Sequence, residues 1–432
     1  MKKFYLIFIA LLLTVIVGCG RNEQAPQEAP AEQSEANVPI ELNMFHSWSA
    51  DTERGAALAA AVTEFNNQYE GRYHVVLTIN PDFPTYQEVV RAMIAANETP
   101  DIFHYNFNPN DLARQRSGRL MDFTPHMDSE WRARFYEADL DLLTVDGQLT
   151  SIPFEQAGAL MYINPELFAE AGIHEFPDTW EGLITAFGQL DANGVNGISL
   201  FTSDDAWHTT GLLTYLWAST AGSVVANGSD VNTPEMVRAV ENLRRIFNYT
   251  TGDAVGANYP VSMNNFASGR TAMVVDGPWL IGMLPEELTQ TALIVPAPTF
   301  GDGRITPGFI VTDSQTPWAA AAQSDPAREE AVVTFMRFIT SEDVAKRLML
   351  DGSVFLSLRI NLTEQELDEI AIENRLLANY IDVFLQAQES VVNMQRNLTS
   401  VANSRLPSLI ESLVLDQITP QQFVEELHSL NQ

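Results

Sequence analysis

The sequence predicts an α/β fold with more than one domain, and three observations carry that reading. The chain has 432 residues, and at about 100–200 residues per domain this length suits two or three domains. Hydrophobic residues make up 46% and charged residues 19%, a globular composition with ample material for a core. Between residues 40 and 105 short apolar strands alternate with segments of helical period. That alternation argues a mainly parallel sheet with helices on both faces.

The elements follow in order. Ile40-Glu41-Leu42-Asn43-Met44-Phe45 alternates apolar and polar, then runs into His46-Ser47-Trp48, so a strand delivers a polar-aromatic loop. Leu58, Val62 and Phe65 recur at helical spacing within 56–69, and 75–79 reads as a second strand stopped by Asn80-Pro81. A helix over 86–97 leads to a third strand over 101–105, which opens onto the polar loop 106–110. Ligands of such sheets sit at the carboxyl ends of the strands, so the loops with Trp48 and Tyr105 lie at that edge. Further on, 157–163 reads as a strand, 166–171 as a helix, and Asp178 or Thr179 as the cap of a helix opening at Trp180. Segments 197–201 and 271–275 read as glycine-bounded strands, and from Ala327 the chain is mostly amphipathic helix. There is no internal repeat.

Charge narrows the partners. The 24 basic and 56 acidic residues give −32, which repels phosphate backbones and argues against nucleic-acid binding. A single cysteine excludes an internal disulfide and any multi-cysteine metal site. Lys2 and Lys3 precede an apolar run over 4–17 interrupted only by Thr14, short of the about 20 residues that a membrane span needs. A basic start, a short apolar stretch and small residues after it describe a secretory signal over 1–18. The run ends in Ile16-Val17-Gly18-Cys19 and resembles the bacterial lipoprotein signal, which implies that Cys19 becomes the acylated first residue. Loss of residues 1–18 removes two lysines and no acid, leaving 22 basic against 56 acidic residues, or −34, with Lys346 the last lysine. Such a surface fits a saline or alkaline medium. Residues 19–37 hold no aromatic side chain and, apart from the closing Ala-Asn, are rich in Glu, Gln, Ala, Pro and Ser. They cannot bury enough surface to order themselves, and so form a flexible tether.

Enzyme signatures with strong local mechanics are missing. The sequence has no phosphate-binding glycine loop with its Lys and Ser/Thr, no nucleophile elbow and no paired-histidine zinc helix. In Asp191-Ala192-Asn193-Gly194-Val195-Asn196-Gly197 the fifth position of a calcium loop would be Val195, which has no oxygen to offer, so a glycine-rich turn fits better. The seven histidines are scattered. No metal or cofactor is expected. The 56 carboxylates offer many pairs for glycoside hydrolysis, but no sequence feature singles one out. What stands out is aromatic residues beside amides, hydroxyls and carboxylates: Ser47-Trp48, Tyr105-Asn106-Phe107-Asn108, Asp204-Asp205-Ala206-Trp207-His208, and Asp276-Gly277-Pro278-Trp279. Sugars need this mixture, flat faces for the C–H side of the ring and fixed polar groups for hydroxyls. Trp180, at a helix start, is assigned to packing.

Several longer segments carry a resemblance. Thr99-Pro100-Asp101-Ile102-Phe103, Asp146-Gly147-Gln148-Leu149, and Leu160-Met161-Tyr162-Ile163-Asn164-Pro165-Glu166-Leu167-Phe168 are among them, as are Pro177-Asp178-Thr179-Trp180, Phe266-Ala267-Ser268-Gly269-Arg270 and Gly277-Pro278-Trp279. In their order the chain resembles the family 1 extracellular solute-binding proteins of ABC-type sugar importers, the maltodextrin-binding group. The resemblance implies a two-lobed periplasmic-binding-protein-like fold (type II), with discontinuous lobes, a hinge and an interlobe ligand cleft. Lobe one would be 38–153 with 306–352, and lobe two 154–305 with 353–432. It also implies ligand contacts at Ser47, Trp48, Tyr105, Asn106, Asn108, Glu155, Gln156, Trp207, His208, Trp279, Gly308 and Arg405. Gly352-Ser353-Val354-Phe355 lacks the proline that relatives often carry, so the sequence departs from the family pattern at that rim.

The function so implied is capture of a sugar or oligosaccharide outside the cell membrane and its delivery to an ABC importer permease by lobe closure. The protein would be a monomer, anchored by its lipid at the extracytoplasmic face, and no enzyme. Arg405 would be the one arginine of the site loops, which argues against strongly anionic ligands. The alternatives are a polyamine or other non-sugar solute on the same fold, a lipid-anchored glycoside hydrolase, and a purely structural surface lipoprotein.

Overall fold

Two sheets organise the chain, each built where buried apolar runs leave their backbone groups to pair. The computed structural model describes residues 38–106, 115–315 and 317–432. The signal, Cys19, the tether and Asn108 lie outside the described residues. In the first sheet β1 (Ile40–His46) pairs in parallel with β2 (Tyr73–Ile79) and β3 (Ile102–His104), and β10 (Trp318–Ala320) closes the other edge antiparallel to β3. Helix α1 (Glu53–Gln68) follows β1, with Thr52 accepting a hydrogen bond from the Gly55 amide as its cap. Its Leu58, Val62 and Phe65 are buried on the face the spacing predicts. Helix α2 (Phe83–Ala96) starts at the Asp82 cap and stops at Asn97, left-handed at φ 62°. A small hairpin, β4 (Thr144–Val145) with β5 (Gln148–Leu149), turns on Asp146-Gly147, both at positive φ.

The second sheet is centred on β6 (Glu155–Ile163), which runs antiparallel to β7 (Met273–Asp276), β8 (Leu293–Val295) and β9 (Ile310–Gln315). Only β11 (Ser390–Val392) adds a parallel pair, to β9. The mainly parallel sheet read from 40–105 thus describes the first sheet and not the second, because an apolar run looks the same whichever way its neighbour points. Segment 197–201 is also no ladder strand; Asn196 and Ser199 make isolated parallel bridges to Thr271 and Val274. Strand pairing keeps the chain in the second sheet through Gln315, and pairing in the first resumes at Trp318. Thr179 is the cap at Trp180, accepting from the Gly182 amide. The final third is mostly helical, with helices from Pro326–Ile339 to Pro420–Leu430, interrupted by the irregular stretch 353–363, by β11 and by the 3-10 turn Met394–Asn397. Among the described residues no helix is long and apolar enough to cross a membrane.

Buried tyrosine hydroxyls serve the backbone of β6 where strand pairing gives out. The Tyr380 hydroxyl accepts from the Gly158 amide at 2.8 Å and donates to the Gly158 carbonyl at 2.9 Å. One residue on, the Tyr215 hydroxyl donates to the Ala159 carbonyl at 2.6 Å and accepts from the Val311 amide at 3.0 Å, between β6 and β9. Both rings are buried. Replacing Tyr380 by Phe strands two buried backbone groups, so Tyr380→Phe should cost about 1–3 kcal/mol in urea unfolding. An unchanged midpoint would show that water satisfies Gly158.

Candidate functional site

The first turn of α1 projects Arg54 from the carboxyl edge of the first sheet. Its guanidinium lies 4.3 Å from the centroid of the Trp48 ring and 5.6 Å from that of Trp279. It also pairs with the carboxylate of Glu155, a side chain only 2% exposed. These four residues come from separate places in the chain. The loop after β1 brings Trp48, the root of β6 brings Glu155, and the 3-10 turn Pro278–Met283 after β7 brings Trp279. Two glycines allow the approach. A side chain at Gly282 would begin 2.4 Å from the Glu53 carboxylate, and one at Gly352 would meet Ala57 at 2.9 Å and the Arg54 backbone at 3.0 Å. The start of α1 is therefore wedged against backbone on both sides.

Trp279 is half-buried, and Trp207 packs against it with centroids 5.2 Å apart. Helix Trp207–Ala221 is buried along nearly its whole length. Its His208, wholly buried, stands 3.0 Å through Nε2 from the Asp276 carboxylate, itself wholly buried, and 2.9 Å through Nδ1 from the Ser262 hydroxyl. Asp276 also accepts from the Gly277 amide at 2.7 Å. A buried carboxylate needs such partners, and here they fix the Asp-Gly-Pro-Trp turn that ends in the indole. A Cβ on Gly277 would fall 2.4 Å from the Trp279 ring, so only glycine lets the indole lie over that peptide.

Behind Trp48 lie two more buried histidines, His46 and His104. His104 Nε2 accepts from the Ser47 amide at 3.0 Å, and His46 Nδ1 accepts from the Trp48 amide at 3.2 Å. The rings of Phe154 and Trp318 pack on Trp48 at 6.2 and 6.3 Å. Burial pushes the His46 imidazole down to about 4. His104 is lowered well below the ordinary histidine value by burial first, with the charges of His46 and Arg54 adding to it.

Of the residues singled out from the sequence, the fold brings Trp48, Glu155 and Trp279 around Arg54, with Trp207 packed on Trp279. Ser47 is buried, its hydroxyl 3.2 Å from His104, and His208 supports the cluster from beneath. The Tyr105 ring is fully buried beside Phe45 and Tyr86, with its hydroxyl accepting from Arg91 at 3.1 Å. Asn106 and Gln156 are half-buried, and their amides donate to Gln87 Oε1 at 3.1 Å and the Phe355 carbonyl at 2.9 Å. Gly308 occupies a turn before β9 at φ 76°. Arg405 is exposed on Ser400–Val414, with the Glu426 carboxylate 3.9 Å away. Arg54 is what the sequence reading missed, having counted Arg405 as the arginine of the site. The available signal was Asp51-Thr52, a helix cap at the end of the first-strand loop, which turns the next residues toward the sheet edge. Among the described residues no group of three or more His, Cys, Asp or Glu could hold a metal.

Residues 60–359 match the family described as bacterial extracellular solute-binding protein, and the chain belongs to that family. Proteins of Brucella abortus and Brucella suis described as binding proteins are 24% identical over 193 residues, 44% of this chain. That match spans 47% of each relative, about half its length. Among solved structures, a chitin oligosaccharide binding protein superposes with a TM-score of 0.79 at 20% identity, covering 91% of this chain and 98% of that one. A protein of Caldanaerobius polysaccharolyticus studied for xylan utilization gives 0.79 at 18% identity, covering 90% and 99%. A cyclic alpha-maltosyl-1,6-maltose binding protein from Arthrobacter globiformis gives 0.69 at 17%, covering 91% and 98%. The fold is thus the two-lobed α/β fold of solute-binding proteins.

His46 and His104, whose imidazoles burial holds below the ordinary value, set a pH dependence. In the unfolded chain they titrate near 6.5, and in the fold they stay neutral to lower pH, so the unfolded state binds more protons in between. Stability should be complete above about 6.5 and fall as pH drops from there toward about 4. Urea unfolding across that window checks this. His46→Asn, which keeps an acceptor for the Trp48 amide, should flatten the slope, and an equally steep slope would assign it to other groups.

Proposed function

We propose that this protein captures a neutral sugar or oligosaccharide outside the cell membrane and delivers it to the permease of an ABC importer. The observation that carries the reading is the Arg54 cluster. The half-buried Trp279 indole offers contact to the C–H side of a pyranose, and the Arg54 guanidinium and Glu155 carboxylate beside it bring a donor and an acceptor for its hydroxyls. The sugar names borne by the structural neighbours support the same class. Trp48, Glu155, Trp207 and Trp279 are the contacts proposed first, and Ser47, Tyr105, Asn106, Asn108, Gln156, His208, Gly308 and Arg405 are further candidates from the sequence. Glu155 comes from the second sheet and Trp48 from the loop after β1, so a ligand touching both gains its full contact set only when the lobes are together. Binding then shifts the population toward the closed form, which docks on the permease.

Binding without chemistry is part of the proposal. A glycosidase needs a carboxylic acid free to protonate the leaving oxygen, whereas Glu155 is held by Arg54 and Asp276 faces His208 deep in the lobe. The rival polyamine reading is disfavoured by charge, since the protein's own cation already lies against both indoles. We further propose that the monomer is anchored by a lipid on Cys19 at the extracytoplasmic face, with residues 19–37 as tether. Cys19→Ser should release the protein from the membrane fraction, and retention there would remove the anchor.

A thermal-shift panel of mono- and oligosaccharides beside polyamines, amino acids and glycerol phosphate tests the substrate. Ligand at 100 times its dissociation constant adds about 2.7 kcal/mol of stability. A shift from one sugar class, with the sugar recovered intact, is expected, and silence from all sugars would overturn the reading. Trp279→Ala should weaken binding by about tenfold or more, roughly 1.4 kcal/mol. Gly277→Ala should do the same with the indole still present, by forcing it off the glycine. Unchanged affinity in calorimetry for both variants would place the ligand elsewhere.

A further inference from the structure

Arg54 has an environment that hydrogen bonding does not explain. Its side chain is 16% exposed, and its buried Nε finds no hydrogen-bond partner among the described residues. A buried guanidinium ordinarily spends its donors on carboxylates and carbonyls in a planar fork. This one is held by two aromatic faces, Trp48 at 4.3 Å and Trp279 at 5.6 Å, and by the Glu155 carboxylate. Both rings are within the about 6 Å at which a cation is drawn to an aromatic face. Two indoles and one carboxylate around a single positive charge form the kind of enclosure that binds organic ammonium ions, which have few donors or none. Here the occupant is a side chain of the protein.

We infer that Arg54 is the specificity-determining residue of this cleft: by filling a cation cage made of Trp48, Trp279 and Glu155, it excludes cationic solutes. The inference rests on the proposed reading that these residues line the ligand site. A cationic ligand would meet a like charge where its own charge should sit, and like charges at such a distance repel strongly in a partly buried site. A neutral ligand meets no such penalty and still finds the exposed part of the Trp279 indole. The class of ligand is therefore set by one residue on α1, while the aromatic faces alone would accept either class.

Removing the side chain should convert the site. Purified Arg54→Ala, Arg54→Lys and wild type are titrated calorimetrically with choline and with spermidine. Arg54→Ala should bind choline at least about tenfold more tightly than wild type, the scale of a partly desolvated cation–aromatic contact. The gain should vanish in Arg54→Ala with Glu155→Gln, and Arg54→Lys, which keeps a charge in place, should show none. Arg54→Ala that is folded by circular dichroism yet gains nothing overturns the inference, as does wild type that itself binds choline or spermidine. Wild type supplies a further test that needs no folded alanine variant. The Arg54 Nε–Hε resonance, identified by its loss in Arg54→Lys, should be shifted upfield by the indole ring currents, and an ordinary shift overturns the cage. Silence of wild type toward every sugar would sink the transport substrate while leaving a choline gain in Arg54→Ala standing.

Discussion

A buried carboxylate at the root of β6 sets the terms for the rest of the molecule. Glu155 is nearly inaccessible, and a charge in that position costs several kcal/mol unless a partner of opposite sign reaches it. Arg54 is that partner. To reach it, α1 must start close against the second sheet, which is why Gly282 and Gly352 stand where any side chain would collide with its first turns. The pair thus ties the first helix of one sheet to the first residue of the other. Breaking it by removing one member would leave a charge uncompensated, an effect on the order of 3–5 kcal/mol in buried pairs.

Around that pair the two halves contribute differently. The first sheet supplies a rigid floor: Trp48 sits in the main apolar cluster of that sheet, clamped by Phe154 and Trp318 and hydrogen-bonded to His46. The second sheet supplies a wall whose indole is half-open but held from behind, by Trp207 at its face and by the His208–Asp276 contact at the root of its turn. Strand β6 joins the two, and its weak points, the unpaired flank at Gly158 and the splayed pair at Ala159, are closed by tyrosine hydroxyls in place of strands. A preorganised site of this kind loses less on binding because its groups are already ordered.

The sequence alone determined a good deal. Alternating apolar strands and helix-period segments gave the existence and order of β1, α1, β2, α2 and β3, because these are local patterns. Both helices begin three residues before the predicted starts, at the Thr52 and Asp82 caps, and the edge strand Trp318–Ala320 was not read at all. The aromatic-polar turns at Trp48, Trp207 and Trp279 were legible for the same reason, because a large ring beside Gly, Pro or Asp is conspicuous in one dimension. Strand direction in the second sheet was not legible, and neither was the failure of 197–201 to form a ladder, as both depend on which distant segment arrives alongside. Nor was Arg54. The Asp51-Thr52 cap marks where its helix starts, but nothing in the sequence sets Arg54 apart among 24 basic residues, and its role exists only because Glu155, 101 residues away, is buried in front of it. Composition and pattern decide what each segment can form. Which charge meets which ring is decided by long-range packing, because desolvation and charge pairing act through space between residues that the sequence keeps apart.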